Sequence, residues 1–132
     1  MIIGMEVIEL NCKEALAKYI EATNTHDFQK VQQVLHPQAI YWFTNQSCSS
    51  MEEIQRYFEY AWGEIKDEVY SISNVNWVSM NDRSATCLYT YHYQGYNNGK
   101  LVSGSGRATN VFVKTEDNYW KLIHEHLSKP MV

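Results

Sequence analysis

The sequence predicts an α+β fold in which three N-terminal helices pack on a curved, mostly antiparallel sheet. Apolar residues recur at helical spacing in the first half of the chain, and from Val69 onward they alternate with period two. Ser50 to Glu53 has the pattern of a capping box, which opens the clearest of the helices. Asn-Asn-Gly at 97–99 separates two long strand-like segments and is typical of a tight hairpin.

The first helix is predicted over 11–24, because Asn11 has the character of an N-cap residue and Glu14 follows three positions later. After a polar break at 25–27, a shorter second helix is predicted from Phe28 through Leu35. The His-Pro step at 36–37 ends it, since a residue before proline avoids helical backbone angles. The third helix carries a stripe of apolar residues: Met51, Ile54, Tyr57, Phe58, Ala61, Trp62 and Ile65.

The remaining segments read as strands and turns. One strand is predicted at 39–44, ahead of a polar loop at 45–50, and four more at 69–80, 84–96, 100–114 and 119–128. Gly104 and Gly106 predict a bulge or bend in the fourth of these five strands. We see no linker, repeat or low-complexity tract, so residues 1–132 are interpreted as a single domain.

Composition limits the classes of function. A net charge of −4 and a pI near 5.7 argue against a nucleic-acid partner, which requires a basic face. No apolar run approaches the roughly 18 residues of a membrane span, so no membrane partner is expected. The chain has three cysteines, Cys12, Cys48 and Cys87, and no two of them form a CxxC motif. An odd number without such a motif predicts free buried thiols in a reducing compartment. The first ten residues do not have the pattern of a signal peptide, and we expect a cytoplasmic protein.

The last strand contains the most distinctive candidates. With strict alternation, Trp120, Leu122, His124 and His126 share one face, while Glu125 lies on the other face with Tyr119, Lys121, Ile123 and Leu127. Two imidazoles that titrate near neutral pH, beside a tryptophan and a leucine, predict the wall of a pocket. The aromatic content of 14% also favours an aromatic-lined cavity or interface.

Three segments resemble the superfamily of cone-shaped α+β domains that includes nuclear transport factor 2, ketosteroid isomerase, scytalone dehydratase and SnoaL-like cyclases. They are Tyr-Ile-Glu-Ala-Thr-Asn-Thr-His-Asp-Phe at 19–28, Leu-His-Pro-Gln-Ala at 35–39, and the closing pair of strands. The closing pair reads Gly-Arg-Ala-Thr-Asn-Val-Phe at 106–112 and Trp-Lys-Leu-Ile-His-Glu-His-Leu-Ser at 120–128, which is similar to the SnoaL-like pattern. The resemblance implies this fold but does not determine a function.

The resemblance also implies roles for single residues. Tyr19 falls where isomerases of this fold carry an oxyanion-hole tyrosine, although it could simply pack in the core. Phe43 and Thr109 occupy the positions of the isomerase carboxylates, which argues against steroid-type isomerisation. His124 and His126 correspond to a proton shuttle or to residues that only close the pocket. A metal site is not favoured, because no third ligand follows from the spacing.

Arg107 is expected to face the cone, as a clamp for a carboxylate or phosphate or as a structural ion pair. Asn110 stands where the SnoaL-like pattern has a second arginine, which puts a two-arginine site in doubt. The expected lining of the ligand site comprises Tyr41, Trp42, Phe58, Trp62 and Trp120. Alternation leaves open whether Tyr89, Tyr91 and Tyr93 face a pocket or a dimer interface.

These patterns predict a SnoaL-like domain that binds a small molecule in a mostly apolar pocket, with a carboxylate-bearing molecule as one option. If it is an enzyme, we expect proton transfer of the isomerase, dehydratase or cyclase type, with His126 or His124 as the base and no cofactor. The alternative is a non-catalytic dimeric module for association or ligand sensing. In either case the aromatic-rich outer side of the sheet predicts a homodimer.

Overall fold

The computed structural model describes residues 2–129, and this part of the chain contains three helices and six strands. In chain order they are α1 (Ile2–Asn24), α2 (Phe28–Gln33), β1 (Leu35–Trp42), β2 (Ser47–Cys48), α3 (Met51–Glu64), β3 (Lys66–Met80), β4 (Ser84–Asn97), β5 (Lys100–Lys114) and β6 (Trp120–Ser128). The predicted α+β class is confirmed.

The strands form a single sheet in the order β2-β1-β6-β5-β4-β3. The β1–β6 pair is parallel and every other pair is antiparallel, as the prediction of a mostly antiparallel sheet requires. Helix α1 packs against β3 and β6, and α3 packs against β1 and β3. We call the face that these helices cover the inner face, and the opposite side the outer face.

The helices differ from the prediction at two ends. Helix α1 begins at Ile2, so Asn11 lies inside the helix and the predicted N-cap is wrong. No proline interrupts the preceding residues, and asparagine costs less than about 0.7 kcal/mol inside a helix. Helix α2 ends at Gln33 and Leu35 already belongs to β1, because the amide of Leu122 in β6 donates to the Val34 carbonyl at 2.9 Å.

Helix α3 begins as predicted. The Ser50 Oγ accepts a hydrogen bond from the amide of Glu53 at 3.2 Å, which satisfies one free N–H of the first turn. The Glu53 carboxylate in turn accepts from the amide of Ser49 at 3.1 Å. This doubly anchored first turn holds the helix whose apolar stripe faces the sheet, with Ile54 and Phe58 buried.

The β4–β5 hairpin is also confirmed, with Asn98 and Gly99 at φ values of 52° and 79°. The bulge predicted at Gly104 and Gly106 is wrong, because these residues pair with β4 without a register shift. Glycine is needed there for close approach. A Cβ at Gly104 would overlap the ring of Tyr93, and one at Gly106 would overlap the ring of Tyr91.

A bulge lies instead in β6, and it decides which side chains face the helices. Leu122 pairs with Phe112 and His124 pairs with Val111, so Ile123 is the extra residue. An extra residue reverses the alternation beyond it. Leu122 and Glu125 therefore both lie buried on the inner face, while His126 is exposed on the outer face.

The core lies between the helices and the inner face of the sheet. It includes Leu16 and Val31 of the helices and Phe112 and Leu122 of the sheet, all buried. The three cysteines are buried and carry free thiols, as predicted. Across residues 2–129, no helix is both long enough and apolar enough to span a membrane.

Candidate functional site

A cavity of about 250 Å³ lies between the inner face of the sheet, α1 and α3. This volume is slightly below the range of about 300–1,000 Å³ typical of drug-sized ligands, so the cavity fits a ligand with one or two rings. Its lining combines eight aromatic rings with two carboxyl groups, and none of the described lining residues is Lys, Arg or His. The lining residues are Tyr19, Thr23, Phe43, Thr44, Tyr57, Phe58, Ala61, Trp62, Glu68, Tyr70, Tyr91, Tyr93, Glu125 and Leu127.

Glu125 is the buried carboxyl group of this cavity, with only 2% of its surface exposed. Burial raises the pKa of its carboxyl from 4.5 to about 7, against the opposing effect of hydrogen bonds with Asn110, Tyr19 and Tyr89. No arginine or lysine among the described side chains, residues 11–129, contributes to this pKa. The carboxyl is consequently able both to accept and to release a proton near neutral pH.

Neighbouring side chains fix the orientation of this carboxyl. The Asn110 amide donates to Glu125 Oε1 at 3.0 Å, and its Oδ1 accepts from the Tyr89 hydroxyl at 2.8 Å. Tyr89 also lies 3.3 Å from Oε1. On the helix side, the Tyr41 hydroxyl donates to that of Tyr19 at 2.9 Å, which leaves the proton of Tyr19 free to point toward Glu125 or a ligand. A buried hydrogen-bonded network of this kind holds its members rigidly.

Burial and the nearby negative charge keep the tyrosines of this network protonated. The pKa values of Tyr19, Tyr41, Tyr70 and Tyr89 all rise well above 10, first because of desolvation and second because of Glu125. These phenols therefore act as hydrogen-bond donors and not as bases.

Two further polar groups of the lining are poorly satisfied by the protein. The Thr23 Oγ1 and Tyr70 hydroxyl are buried, and neither makes a well-aligned hydrogen bond to a described residue, although the Tyr89 hydroxyl affects the pKa of Tyr70. A buried polar atom without a partner costs about 1–3 kcal/mol, so such atoms are usually satisfied by water or by a ligand. Both residues line the cavity, which makes them candidates for ligand contacts.

Part of the cavity lining is half-buried. The rings of Phe43 and Tyr57 stack at 3.6 Å between centroids, and Trp62 stacks on His26 at 5.4 Å. Glu68 of β3 belongs to this half-buried part, and burial raises the pKa of its carboxyl from 4.5 to about 6. The cavity thus has one fully buried carboxyl and a second that is half-buried.

Three of the sequence-predicted site residues line this cavity, namely Tyr19, Phe58 and Trp62. Tyr41 is fully buried and does not line the cavity itself, but its side chain contacts the lining residues Tyr19, Phe43 and Phe58. Alternation had not decided which face of the sheet three tyrosines of β4 occupy. The structure has Tyr89, Tyr91 and Tyr93 on the inner face, with Tyr89 and Tyr91 buried.

The expected position of His124 and His126 on the pocket wall is wrong. Both lie on the outer face, where each packs edge-on against Trp42 at centroid distances of 5.1 and 5.3 Å. The His124 Nδ1 is 2.8 Å from the Ile40 carbonyl. The bulge at Ile123 is the physical reason, because it reverses the alternation on which the prediction depended.

The expected position of Arg107 in the cone is wrong as well. Residues 106, 108, 110 and 112 of β5 face the helices, so Arg107 lies exposed on the outer face. It borders a shallow outer groove together with His126. Trp42 is exposed on the same side, and Trp120 is half-buried without lining the cavity.

Sequence reasoning missed Glu125, Glu68 and Tyr70. Strict alternation assigned Glu125 to the side away from the pocket, and nothing in the residue types marks a bulge at Ile123. The sequence did contain a weak signal. Alternation placed Ile123 and Leu127 on the same predicted solvent face as Glu125, although a solvent-facing side of a strand is usually polar. Among the described side chains, which belong to residues 11–129, no group of three or more His, Cys, Asp or Glu has the arrangement of a metal site.

The SnoaL-like domain model matches residues 12–132, which is most of the chain. The chain belongs to the SnoaL-like domain family. No curated protein matches the sequence.

Solved structures support the same fold for this SnoaL-like domain. A nuclear transport factor 2-like superfamily protein from Salmonella enterica superposes with a TM-score of 0.87 at 15% identity, over 97% of this chain and 94% of the other. A protein from Xanthomonas campestris, provisionally described as a calcium/calmodulin-dependent kinase II association domain, gives 0.78 at 26% identity over 89% and 84%. One from Streptomyces avermitilis, provisionally described as a dehydratase, gives 0.82 at 19% identity over 96% and 99%.

The SnoaL-like domain departs from the isomerase arrangement that the resemblance implied. Phe43, at the position of the isomerase base, lines the cavity but cannot accept a proton. Thr109 lies on the outer face, and its neighbour Asn110 is the residue that points inward. The buried carboxyl of this cavity comes instead from β6 as Glu125, and Asn110 is its hydrogen-bond donor.

Proposed function

We propose that this SnoaL-like domain is a small-molecule enzyme that transfers a proton within the cone, as isomerases, dehydratases and cyclases do. The observation that carries the proposal is Glu125, a wholly buried carboxyl that faces an aromatic cavity and has a pKa raised to about 7. A structural carboxyl is normally paired with a cation, and the described residues supply none here. General acids and bases work best when their pKa is near the working pH.

In this proposal Glu125 takes a proton from a carbon or oxygen of the substrate and returns it at a second position. Tyr19 donates a hydrogen bond to the oxygen on which negative charge develops, because Tyr41 already satisfies one lone pair of its hydroxyl. Asn110 and Tyr89 hold the carboxyl in place through the reaction. The rings around the cavity exclude water and hold an apolar substrate body.

The test uses a substrate that reports any positioned base. A nitrobenzisoxazole is an uncharged bicycle whose carbon-bound proton passes to a base while its N–O bond breaks, and the product is a coloured cyanophenolate. We expect the protein to accelerate this elimination, with a rate that rises with pH to a plateau above about 7 as Glu125 ionises. A rate equal to that of free carboxylate in solution would overturn the proposal.

We further propose that the outer face associates with a second copy of the chain. Ile40, Trp42 and Leu88 expose 40–48% of their surfaces there, and apolar surface of this kind favours burial against a partner. Association and proton transfer use opposite faces of the sheet, so the two roles are compatible. This is also the observation that favours an association module if the cavity proves inert.

Sedimentation equilibrium tests the association. We expect a molecular mass of twice 15.5 kDa for the wild type and a shift toward the monomer for Trp42→Glu, because a buried charge at the interface costs several kcal/mol. The matched control is Tyr119→Ser, which removes an exposed aromatic side chain from the β5–β6 turn and should leave the mass unchanged. A monomeric wild type contradicts the proposal.

A further inference from the structure

We propose that the ligand of the inner cavity is an organic cation, an amine or ammonium group on a small apolar body, with its charge beside Glu68. The inference rests on the proposed function in one respect, since it names the substrate class of the same cavity. The sequence had predicted a carboxylate-bearing ligand because Arg107 was expected in the cone. Arg107 lies on the outer face, so it cannot bind an anion in this cavity.

Glu68 is a carboxylate without a counter-charge. Its side chain lines the cavity, and no hydrogen bond or ion pair of this carboxyl is found among the described side chains of residues 11–129, while its backbone carbonyl lies 2.9 Å from Nε2 of His26. The carboxyl is half-buried, and desolvation is the cause of the rise in its pKa to about 6. A ligand cation at this position would supply the missing partner.

The rings next to Glu68 suit the same charge. Tyr57, Phe58 and Trp62 of α3 line the cavity together with Tyr70, and the face of an aromatic ring attracts a cation within about 6 Å. Tryptophan gives the strongest of these interactions. Trp62 is held in place by stacking on His26 at 5.4 Å, and it packs against Phe58 at the same distance.

Two buried hydroxyls favour a ligand with a polar head group. Thr23, which is 6% exposed, and Tyr70 both line the cavity, and neither hydroxyl makes a well-aligned hydrogen bond to another described residue, although Tyr89 affects the pKa of Tyr70. A hydroxyl both donates and accepts hydrogen bonds, and a protonated amine offers up to three donors to its lone pairs. Thr23 and Tyr70 are an observation independent of the carboxyl groups, and they favour a polar head group over a purely apolar ligand.

Other ligand charges fit the cavity less well. An anion would meet both Glu68 and Glu125, and the described lining residues include no basic side chain to pair with it. A neutral ligand would displace water from Glu68 and leave its charge still less solvated. A cation instead stabilises the ionised carboxylates of Glu68 and Glu125, so it lowers the pKa of both. A lower pKa keeps Glu125 ionised and able to accept a proton.

The experiment compares three ligands that share a benzene ring and differ in the head group: phenethylamine, 2-phenylethanol and phenylacetate. Binding is measured by calorimetry at low salt and about pH 8, where Glu68 is ionised and the amine is still protonated. We expect the amine to bind about tenfold or more tightly than the alcohol, and phenylacetate to bind weakest.

Glu68→Gln isolates the charge. This variant keeps the length of the side chain and removes no hydrogen bond of the folded protein, so it should fold normally. We expect its preference for amine over alcohol to fall to within about twofold, with the affinity for 2-phenylethanol unchanged. The matched control is Asp117→Asn, an exposed carboxylate in the β5–β6 turn, which should keep the wild-type preference.

Two results overturn the inference: a wild type with no preference for the amine, which includes binding none of the three ligands, or a preference that survives in Glu68→Gln. The proposed function fails separately, because the nitrobenzisoxazole is uncharged and its elimination depends on Glu125. Turnover without amine preference removes only the cation inference. Amine binding without turnover leaves a cation-binding domain and removes the enzyme.

Discussion

Glu125→Gln is expected to lower the rate of nitrobenzisoxazole elimination by about 100-fold or more, which is the usual contribution of a positioned general base. Glutamine preserves the shape of the side chain, and its carbonyl oxygen can still accept from Asn110 and Tyr89. It cannot take up a proton. The loss should appear in kcat with little change in KM, because the substrate still fills the same cavity.

His126→Ala is the matched comparison for this variant. The sequence predicted His126 as a catalytic base, whereas the structure has its side chain exposed on the outer face of the sheet. We expect His126→Ala to retain the wild-type rate and pH profile. An undiminished rate in Glu125→Gln, or a loss of similar size in His126→Ala, would show that the base is not the carboxyl of the inner cavity.

The same carboxyl should make the protein less stable as the pH rises. Its pKa is about 7 when folded against 4.5 for the free group, so the folded state binds the proton more tightly than the unfolded state does. The free energy of unfolding therefore falls as the pH increases from about 4.5 through 7 and is constant beyond, a loss of about 3 kcal/mol at 1.36 kcal/mol per pH unit.

Urea unfolding followed by tryptophan fluorescence at several pH values measures this loss. Glu125→Gln has no ionisation at this position, so its stability relative to wild type should rise by about 3 kcal/mol from pH 4.5 to about 8. Glu68 is present in both proteins, so its own raised pKa cancels in the difference. Parallel pH dependences for the two proteins would mean that Glu125 has an ordinary pKa in the folded state.

The proposed proton transfer needs a carboxyl at position 125, whereas the stability of the fold near neutral pH is lowered by it. A neutral side chain at 125 would make the fold more stable near neutral pH, yet the chain keeps a carboxyl there with Asn110, Tyr89 and Tyr19 arranged around it. Active sites often hold destabilising groups of this kind because their altered pKa is what the chemistry uses. Glu125→Gln measures both effects in one protein.

Local patterns predicted the elements that depend on local interactions. Ser50 and Glu53 fix the start of α3 through hydrogen bonds within one turn, and Asn98 and Gly99 fix the β4–β5 hairpin because they adopt positive φ. The bounds of β5 were predicted to the residue. Phe58 and Trp62 were also predicted, since helical spacing aims them at the sheet, and the family resemblance added Tyr19.

Long-range pairing decided the rest. The early start of β1 at Leu35 depends on its pairing with β6, from which it is separated by most of the chain. The bulge at Ile123 depends on how β5 and β6 meet, and no residue type in β6 encodes it. One inserted residue is enough to exchange the faces of Glu125 and His126, and with them the identity of the candidate base.

By itself, then, the sequence determined the α+β class, the aromatic character of the interior and the order of the elements, because these follow from spacing and composition. The exception is β2, which lies within the predicted loop at 45–50 and forms by pairing with β1. The tertiary structure alone decided which titratable groups face the cavity. A strand has a side-chain period of two, so a single bulge moves every later residue to the opposite face. Burial on the inner face then gives Glu125 its pKa of about 7. Arg107, His124 and His126 lie on the outer face, where a second copy of the chain is proposed to bind.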